Sequence, residues 1–177
     1  MKQLLLFFVL TLSAFAGPLS GKRVASFTLA DATGKYYDVL DFRGKVLLID
    51  IMKTNCPHCQ ALSRTLEQVK AKYGDKLAVL SIVNPPDDPK TVSAYIATYK
   101  VTNPVLFDFG QATAAMLRIT PQNPSISLPT LLIVDAQGIV RSDLVYSDSQ
   151  SGSFAANGLT SLIDKALGAA AAAPKKK

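Results

Sequence analysis

Apolar and polar positions alternate along the chain in blocks that predict an ordered succession of strands and helices. The run from Lys45 to Met52 is almost continuously apolar, as expected of a central strand covered on both faces. From Pro57 to Tyr73 the apolar residues instead recur at helical spacing, and Gly74 follows as a stop signal. Leu77 to Val83 is a second apolar run, so this helix connects two neighbouring parallel strands.

Shorter elements are predicted on both sides of this unit. Strands over Ser26–Leu29 and Lys35–Val39 flank the turn Asp31–Gly34 and form an N-terminal hairpin. Asn84–Pro89 is a proline-rich loop. The remaining pattern predicts a helix over Thr91–Tyr99, a strand over Val105–Phe107, a helix over Gln111–Leu117, a hairpin of Thr130–Val134 with Ile139–Val145, and a closing helix marked by Leu159, Leu162, Ile163, Ala166 and Leu167. The fold class is α/β, with a mixed central sheet flanked by helices.

The two ends of the chain predict segments outside the folded domain. Leu4–Phe15 is apolar but too short to cross a bilayer, follows Lys2, and ends at the small-x-small pattern Ala14-Phe15-Ala16. Residues 1–16 are therefore predicted to be a secretory signal peptide, with an uncleaved anchor as the alternative. Residues 17–168 form one domain, and the Ala/Pro/Lys-rich residues 169–177 are predicted to be a disordered tail.

The net charge of +6 says little about function, because Lys2 and the three lysines at the end of the tail lie outside the predicted domain. The domain itself is close to neutral. No basic stripe interleaved with aromatic residues is present, so nucleic-acid binding is not expected.

The two cysteines of the chain form the motif Cys56-Pro57-His58-Cys59, where an apolar strand ends and a helix begins. Unpaired N–H groups and the helix dipole favour a thiolate at such a position. Cys56, at the helix start, is the candidate nucleophile, and Cys59, one turn later, is the candidate resolving thiol. Pro57 sacrifices no hydrogen bond in the first turn, and His58 is a candidate to stabilise the Cys56 thiolate.

Two other interpretations of this motif are a structural disulfide and half of a zinc site. Zinc would need further Cys or His ligands, whereas the chain has two Cys and one His. A redox dithiol without a metal or other cofactor is therefore predicted.

Asp50 is the second chemical signal, because it interrupts the apolar run six positions before Cys56. A buried carboxylate without a partner is costly, so burial should raise its pKa. Pairing with Lys53 at the strand end is the alternative.

These residues together resemble the thioredoxin family. The shared pattern is a strand leading into Cys-x-x-Cys at a helix start, then Ser127-Leu128-Pro129-Thr130 before a strand, a hairpin and a final helix. The N-terminal hairpin and the inserted strand and helix between residues 84 and 118 resemble the extracytoplasmic TlpA/ResA branch. The resemblance covers Ser26 to Leu167, most of the chain.

The resemblance implies roles for three positions. Asp50 would assist proton transfer to and from Cys59. The Leu128–Pro129 peptide bond would be cis, with Pro129 against the disulfide and the Leu128 backbone presented to an extended substrate. An ordinary trans proline at the start of a strand is the alternative.

Departures from this branch leave the direction of electron flow open. Its reductases usually carry a tryptophan before the first cysteine and a glutamate after the second, where this chain has Asn55 and Leu62. The Pro57-His58 pair resembles the oxidase DsbA, although its large helical insertion has no counterpart here. A potential more oxidising than that of thioredoxin is predicted.

The predicted function is a thiol–disulfide oxidoreductase that acts on cysteine-containing protein substrates. It is expected to be a monomer and to lie in the periplasm or otherwise outside the cytoplasm. A membrane electron carrier is one candidate redox partner. The alternatives are a dedicated reductase for cytochrome c maturation and a non-catalytic, metal-handling or peroxide-handling module. A peroxiredoxin would need proline and threonine where Ile49 and Lys53 stand, and a copper carrier a histidine beyond His58.

Overall fold

The computed structural model describes residues 17–171 and is built on one seven-stranded sheet. The predicted signal peptide lies outside these residues. The strands are β1 (Thr28–Asp31), β2 (Tyr36–Asp38), β3 (Val46–Met52), β4 (Leu77–Val83), β5 (Val105–Phe107), β6 (Thr130–Val134) and β7 (Val140–Val145). In spatial order they run β2-β1-β5-β4-β3-β6-β7, with β3, β4 and β5 parallel and the other neighbouring pairs antiparallel.

Helices cover both faces of this sheet. They are α1 (Pro57–Tyr73), α2 (Pro89–Tyr99), α3 (Gln111–Leu117), α4 (Ser151–Phe154) and α5 (Ala156–Ala171), with short 3₁₀ turns at Val39–Phe42, Gly74–Lys76 and Asp148–Gln150. Leu66 of α1 and Ile163 of α5 pack with Leu48 on one face, while Met116 of α3 packs with Ile49 on the other. Among residues 17–171, no helix has the length and apolar character needed to cross a membrane.

The predicted α/β class is confirmed, and the structure differs from the prediction at element ends and in one additional short helix. Helix α2 begins at Pro89 rather than Thr91, because the Asp88 carboxylate accepts the Thr91 N–H at 2.7 Å and the Thr91 hydroxyl accepts the Asp88 N–H at 2.9 Å. Helix α5 continues to Ala171, so residues 169–171 are helical, whereas residues 172–177 of the predicted tail lie outside the described range. Helix α4 was not predicted.

The two outer strands differ from the central ones in length and composition. Strand β2 has only 3 residues. Strand β7 carries Arg141, Ser142 and Asp143 in sequence, and its pairing with β6 is irregular at Ile133 and Val134.

The carboxyl ends of β3, β4 and β5 meet at one edge of the sheet, where antiparallel β6 begins. We call this the dithiol edge.

Candidate active site

The dithiol lies at the start of α1, where the chain leaves β3. Cys56 is the N-cap residue in an extended conformation, and its Sγ accepts a hydrogen bond from the Cys59 N–H at 3.3 Å. Pro57 occupies the first helical turn, as predicted. Both thiols are free, with Cys56 half-buried and Cys59 at 0% exposure. Only the first sulfur is therefore open to a partner from solvent.

Hydrogen bonds from two other parts of the site fix the turn between β3 and α1 that precedes Cys56. Asp87, in the loop after β4, accepts the Thr54 N–H at 3.1 Å and also the Thr54 hydroxyl. The Gln60 side chain donates to the Thr54 carbonyl at 2.8 Å. These contacts were not predicted, since they join residues whose proximity depends on the packing of two loops.

The Leu128–Pro129 peptide bond is cis, as predicted. Pro129 precedes β6, which pairs antiparallel with β3 and so starts at the dithiol edge. The Leu128 carbonyl oxygen lies 4.0 Å from Cys56 Sγ, and the Pro129 carbonyl accepts the Tyr146 N–H at 3.0 Å. The structure therefore brings the two predicted halves of the site together across 72 residues of sequence.

His58 has an aromatic neighbour that the sequence did not reveal. Its ring stacks on Tyr146, with centroids 4.0 Å apart and an interplanar angle of 23°. Tyr146 in turn meets the edge of Phe154 in α4 at 5.4 Å. The exposed imidazole is therefore held against a supported ring beside the dithiol.

Asp50 is buried at 0% exposure beneath the dithiol. Burial raises its pKa to about 7, against a smaller lowering effect of a hydrogen bond from Ser81. The Ser81 Oγ donates to Asp50 Oδ2 at 3.3 Å, while Asp50 Oδ1 has no protein partner. Lys53, weighed as an alternative partner, forms no ion pair with this carboxylate in the described part of the chain. The predicted burial and raised pKa are confirmed.

The pKa of the Cys59 thiol is raised, chiefly by burial. Its hydrogen bond with Cys56 and the charge of Asp50 act in the same direction, while a backbone contact with Lys53 opposes them. Cys59 thus remains protonated unless a nearby base accepts its proton. Asp50, whose charge reaches Cys59, is a base with a suitable pKa near neutral pH.

Other polar features do not add a second centre to this site. Within residues 17–171, no group of three or more His, Cys, Asp or Glu side chains is arranged to hold a metal ion. A cavity of about 140 Å³ lies near Arg23, Phe42, Leu47 and Gly138, at the sheet edge opposite the dithiol. We therefore do not assign this cavity to the cysteines.

The sequence from residue 20 to residue 143 matches the AhpC/TSA family. The chain belongs to this family. It is 28% identical over 127 residues to the thioredoxin-like protein YneN of Bacillus subtilis, covering 71% of each chain. It is 23% identical to the thiol-disulfide oxidoreductase ResA of Halalkalibacterium halodurans, covering 67% of this chain and 64% of that one.

A solved structure supports the same fold. The thioredoxin-family thiol:disulfide interchange protein of Chlorobium tepidum superimposes with a TM-score of 0.69, at 19% identity, over 81% of this chain and 94% of that one. This superposition confirms the predicted thioredoxin-like fold. The predicted class, a thiol–disulfide oxidoreductase, is confirmed by the family match and the curated relatives together with the paired cysteines.

Proposed function

We propose that the protein exchanges disulfides with cysteine-containing protein substrates outside the cytoplasm. The observation that carries this proposal is the asymmetry of the dithiol, with Cys56 accessible at a helix start and Cys59 fully buried behind it. The apolar N-terminal segment of the sequence supports the extracytoplasmic location, and the names of the relatives support protein disulfides as substrates.

In the reducing direction, the Cys56 thiolate attacks a substrate disulfide, and one substrate sulfur leaves as a thiolate. Cys59 then gives its proton to the Asp50 carboxylate and attacks Cys56. The Cys56–Cys59 bond forms, the mixed disulfide breaks, and the second substrate sulfur leaves as a thiolate. The substrate disulfide is reduced by two electrons and the dithiol is oxidised. The oxidising direction reverses these steps.

The surrounding groups have positioning roles in this proposal. Leu128 and Pro129 present backbone beside Cys56, where an extended substrate can align with it. Pro57 keeps the first turn of α1 regular, and His58 tunes the stability of the Cys56 thiolate.

The division of labour between the cysteines is tested by alkylation of the reduced protein with iodoacetamide at pH 7, followed by peptide mapping. We expect Cys56 to be modified first, because Cys59 is shielded until the protein unfolds. The variant Cys59→Ser should accumulate a mixed disulfide with a substrate through Cys56, whereas Cys56→Ser should not. Preferential modification of Cys59 in the folded protein would reverse the assignment.

A hydrogen peroxide consumption assay on the same samples separates disulfide exchange from peroxide chemistry. Ile49 and Lys53 replace the proline and threonine of a peroxiredoxin site, so we expect insulin disulfide reduction to exceed peroxide turnover. Faster peroxide turnover would contradict the proposed function.

A further inference from the structure

Asp50 belongs to a row of polar side chains that runs across the sheet, away from the dithiol. Ser81 of β4 is the direct register partner of Asp50 in β3, and Asn103 precedes β5 on the other side of β4. All three are buried, at 0%, 3% and 8% exposure respectively. Such a row is unusual among the apolar residues of the central strands, because each buried polar group requires a partner.

The hydrogen bonds along this row have one direction. The Asn103 amide nitrogen donates to the Ser81 Oγ at 3.0 Å and to the Pro104 carbonyl at 3.2 Å. Since a carbonyl oxygen can only accept, the Asn103 atom that contacts Pro104 and Ser81 must be the amide nitrogen and not the amide oxygen. Ser81 Oγ therefore accepts from Asn103, and its own hydrogen points to Asp50 Oδ2.

The loop that carries Asn103 is fastened to the helix that carries Cys59. Glu67 of α1 accepts the Thr102 N–H at 2.8 Å and the Thr102 hydroxyl at 2.9 Å. Lys70, one turn on, completes the cluster through an ion pair of 3.0 Å with Glu67. Helix α1 thus fixes both the resolving thiol and the far end of the polar row.

The other groups that face Asp50 do not supply a positive charge. Cys59 faces it from α1 and Tyr95 from α2, and both are acids whose pKa burial raises. The buried Tyr95 hydroxyl has no hydrogen-bond partner among the described residues, and the nearby Ser63 side chain lowers the pKa of Tyr95 against the larger effect of burial. On the β6 side the register partner is the apolar Leu131. Ser81 is therefore the group that stabilises the ionised form of Asp50.

We propose that Ser81 and Asn103 are positioning residues that set the charge state of Asp50, and thereby the pH range in which Cys59 resolves a mixed disulfide. This inference rests on the proposed role of Asp50 as proton acceptor. Removing the Ser81 hydroxyl leaves the buried carboxylate without its donor, which disfavours the ionised form. Removing the Asn103 amide frees the Ser81 hydroxyl to rotate away, so its effect has the same sign and a smaller size.

The test mixes the whole protein with an aromatic disulfide, 5,5′-dithiobis(2-nitrobenzoate), and follows the reaction by stopped-flow absorbance. The first thionitrobenzoate is released when Cys56 attacks, and the second when Cys59 resolves the mixed disulfide. Only the second phase should follow the ionisation of Asp50, with a midpoint near pH 7 in the wild type. We expect Ser81→Ala to raise this midpoint by about one pH unit, a tenfold change in proton affinity, and Asn103→Ala to raise it by less.

Controls separate this inference from the proposed function. Ser142→Ala removes a hydroxyl from β7 in the same sheet and should leave both phases unchanged. Ser81→Ala combined with Asp50→Asn should match Asp50→Asn alone. The carboxyl ¹³C resonance of Asp50 should titrate with the same shifted midpoint in Ser81→Ala.

The outcomes are distinguishable. If Asp50→Asn leaves the second phase and its pH profile intact, the proposed role of Asp50 fails. If Asp50→Asn removes the pH dependence but Ser81→Ala and Asn103→Ala leave the midpoint in place, the inference is overturned while the proposed function stands. Should Ser81→Ala fail to fold, Asn103→Ala decides, because Asn103 lies at the margin of the core.

Discussion

At the scale of single residues, the site depends on how many hydrogen bonds the protein supplies to each buried carboxylate. Asp50 has an environment in which burial raises its pKa to about 7, whereas backbone hydrogen bonds from Thr113 and Ala112 lower the pKa of buried Asp108 despite the opposing effect of desolvation. The difference is the number of donors, since Asp50 accepts one hydrogen bond from Ser81 and leaves one oxygen unpaired. A carboxyl group that can change charge at neutral pH is therefore kept beside Cys59.

This environment predicts a pH-dependent cost to folding. Because the folded pKa of Asp50 lies above its ordinary value of 3.8, the native state binds the proton more tightly than the unfolded chain. The contribution of Asp50 to stability is therefore full below about pH 4, is lost as the pH rises to about 7, and stays lost above it. The full loss is on the order of 4 kcal/mol.

Urea unfolding of the reduced protein at pH 4.5 and pH 8 measures this cost when wild type and Asp50→Asn are compared. We expect the variant to gain stability relative to the wild type at pH 8 and to lose most of that advantage at pH 4.5. An equal difference at both pH values would mean that Asp50 does not titrate in this range.

At the scale of elements, the long apolar runs and the helix between them were predictable, because burial on both faces leaves a continuous signal. The bounds of α1 and β4 agree with the prediction, as do those of β5 and α3. Helix α4 was missed because its sequence Ser151–Phe154 is short and rich in Ser and Gly, and tertiary packing of Phe154 stabilises it.

The same reasoning explains which parts of the site could be predicted. Cys56, Cys59 and Asp50 stand out from their local sequence, and the resemblance indicated Pro129. Ser81 also interrupts an apolar strand, so the signal used for Asp50 was available for it. The contacts of Asn103 with Ser81 and of Tyr146 with His58 join distant segments, and no local pattern encodes them.

The segment after β7 gives a prediction at this scale, because it supplies the ring on which His58 stacks. Tyr146→Leu removes the ring and should free the imidazole, weakening its stabilisation of the Cys56 thiolate and making the dithiol more reducing. Tyr146→Phe keeps the ring and should leave the potential close to the wild-type value. Equilibration with glutathione buffers and mass analysis measures both variants. Equal potentials in wild type and Tyr146→Leu would exclude a role for the stack.

At the scale of the whole molecule, several features act on the redox potential with opposite signs. In the proposed function, the helix start and the Pro57-His58 pair favour the reduced form of the dithiol, which would raise the potential. An ionised Asp50 opposes this, as its charge raises the pKa of Cys59. The potential should therefore rise by less than the helix start and the Pro57-His58 pair alone would raise it.

We expect a potential at pH 7 between the values for thioredoxin and DsbA, roughly −270 and −120 mV. The protein should then oxidise a reduced, unfolded substrate as readily as it reduces insulin. The glutathione equilibration described for Tyr146 measures the wild-type value as well. A potential at or below that of thioredoxin would favour a dedicated reductase supplied by a membrane electron carrier.

Under the proposed function, in which the substrates include unfolded polypeptides, the outer strands of the sheet have a further consequence. Exposed, regular strand edges recruit other extended chains and seed aggregation. Here one outer strand, β2, has only 3 residues. The other outer strand, β7, pairs irregularly with β6 at Ile133 and Val134 and carries charged side chains. A client chain therefore finds little backbone to pair with along the sides of the molecule. We therefore expect its encounters to be concentrated at the cysteines, and we expect the protein not to aggregate together with its proposed substrates.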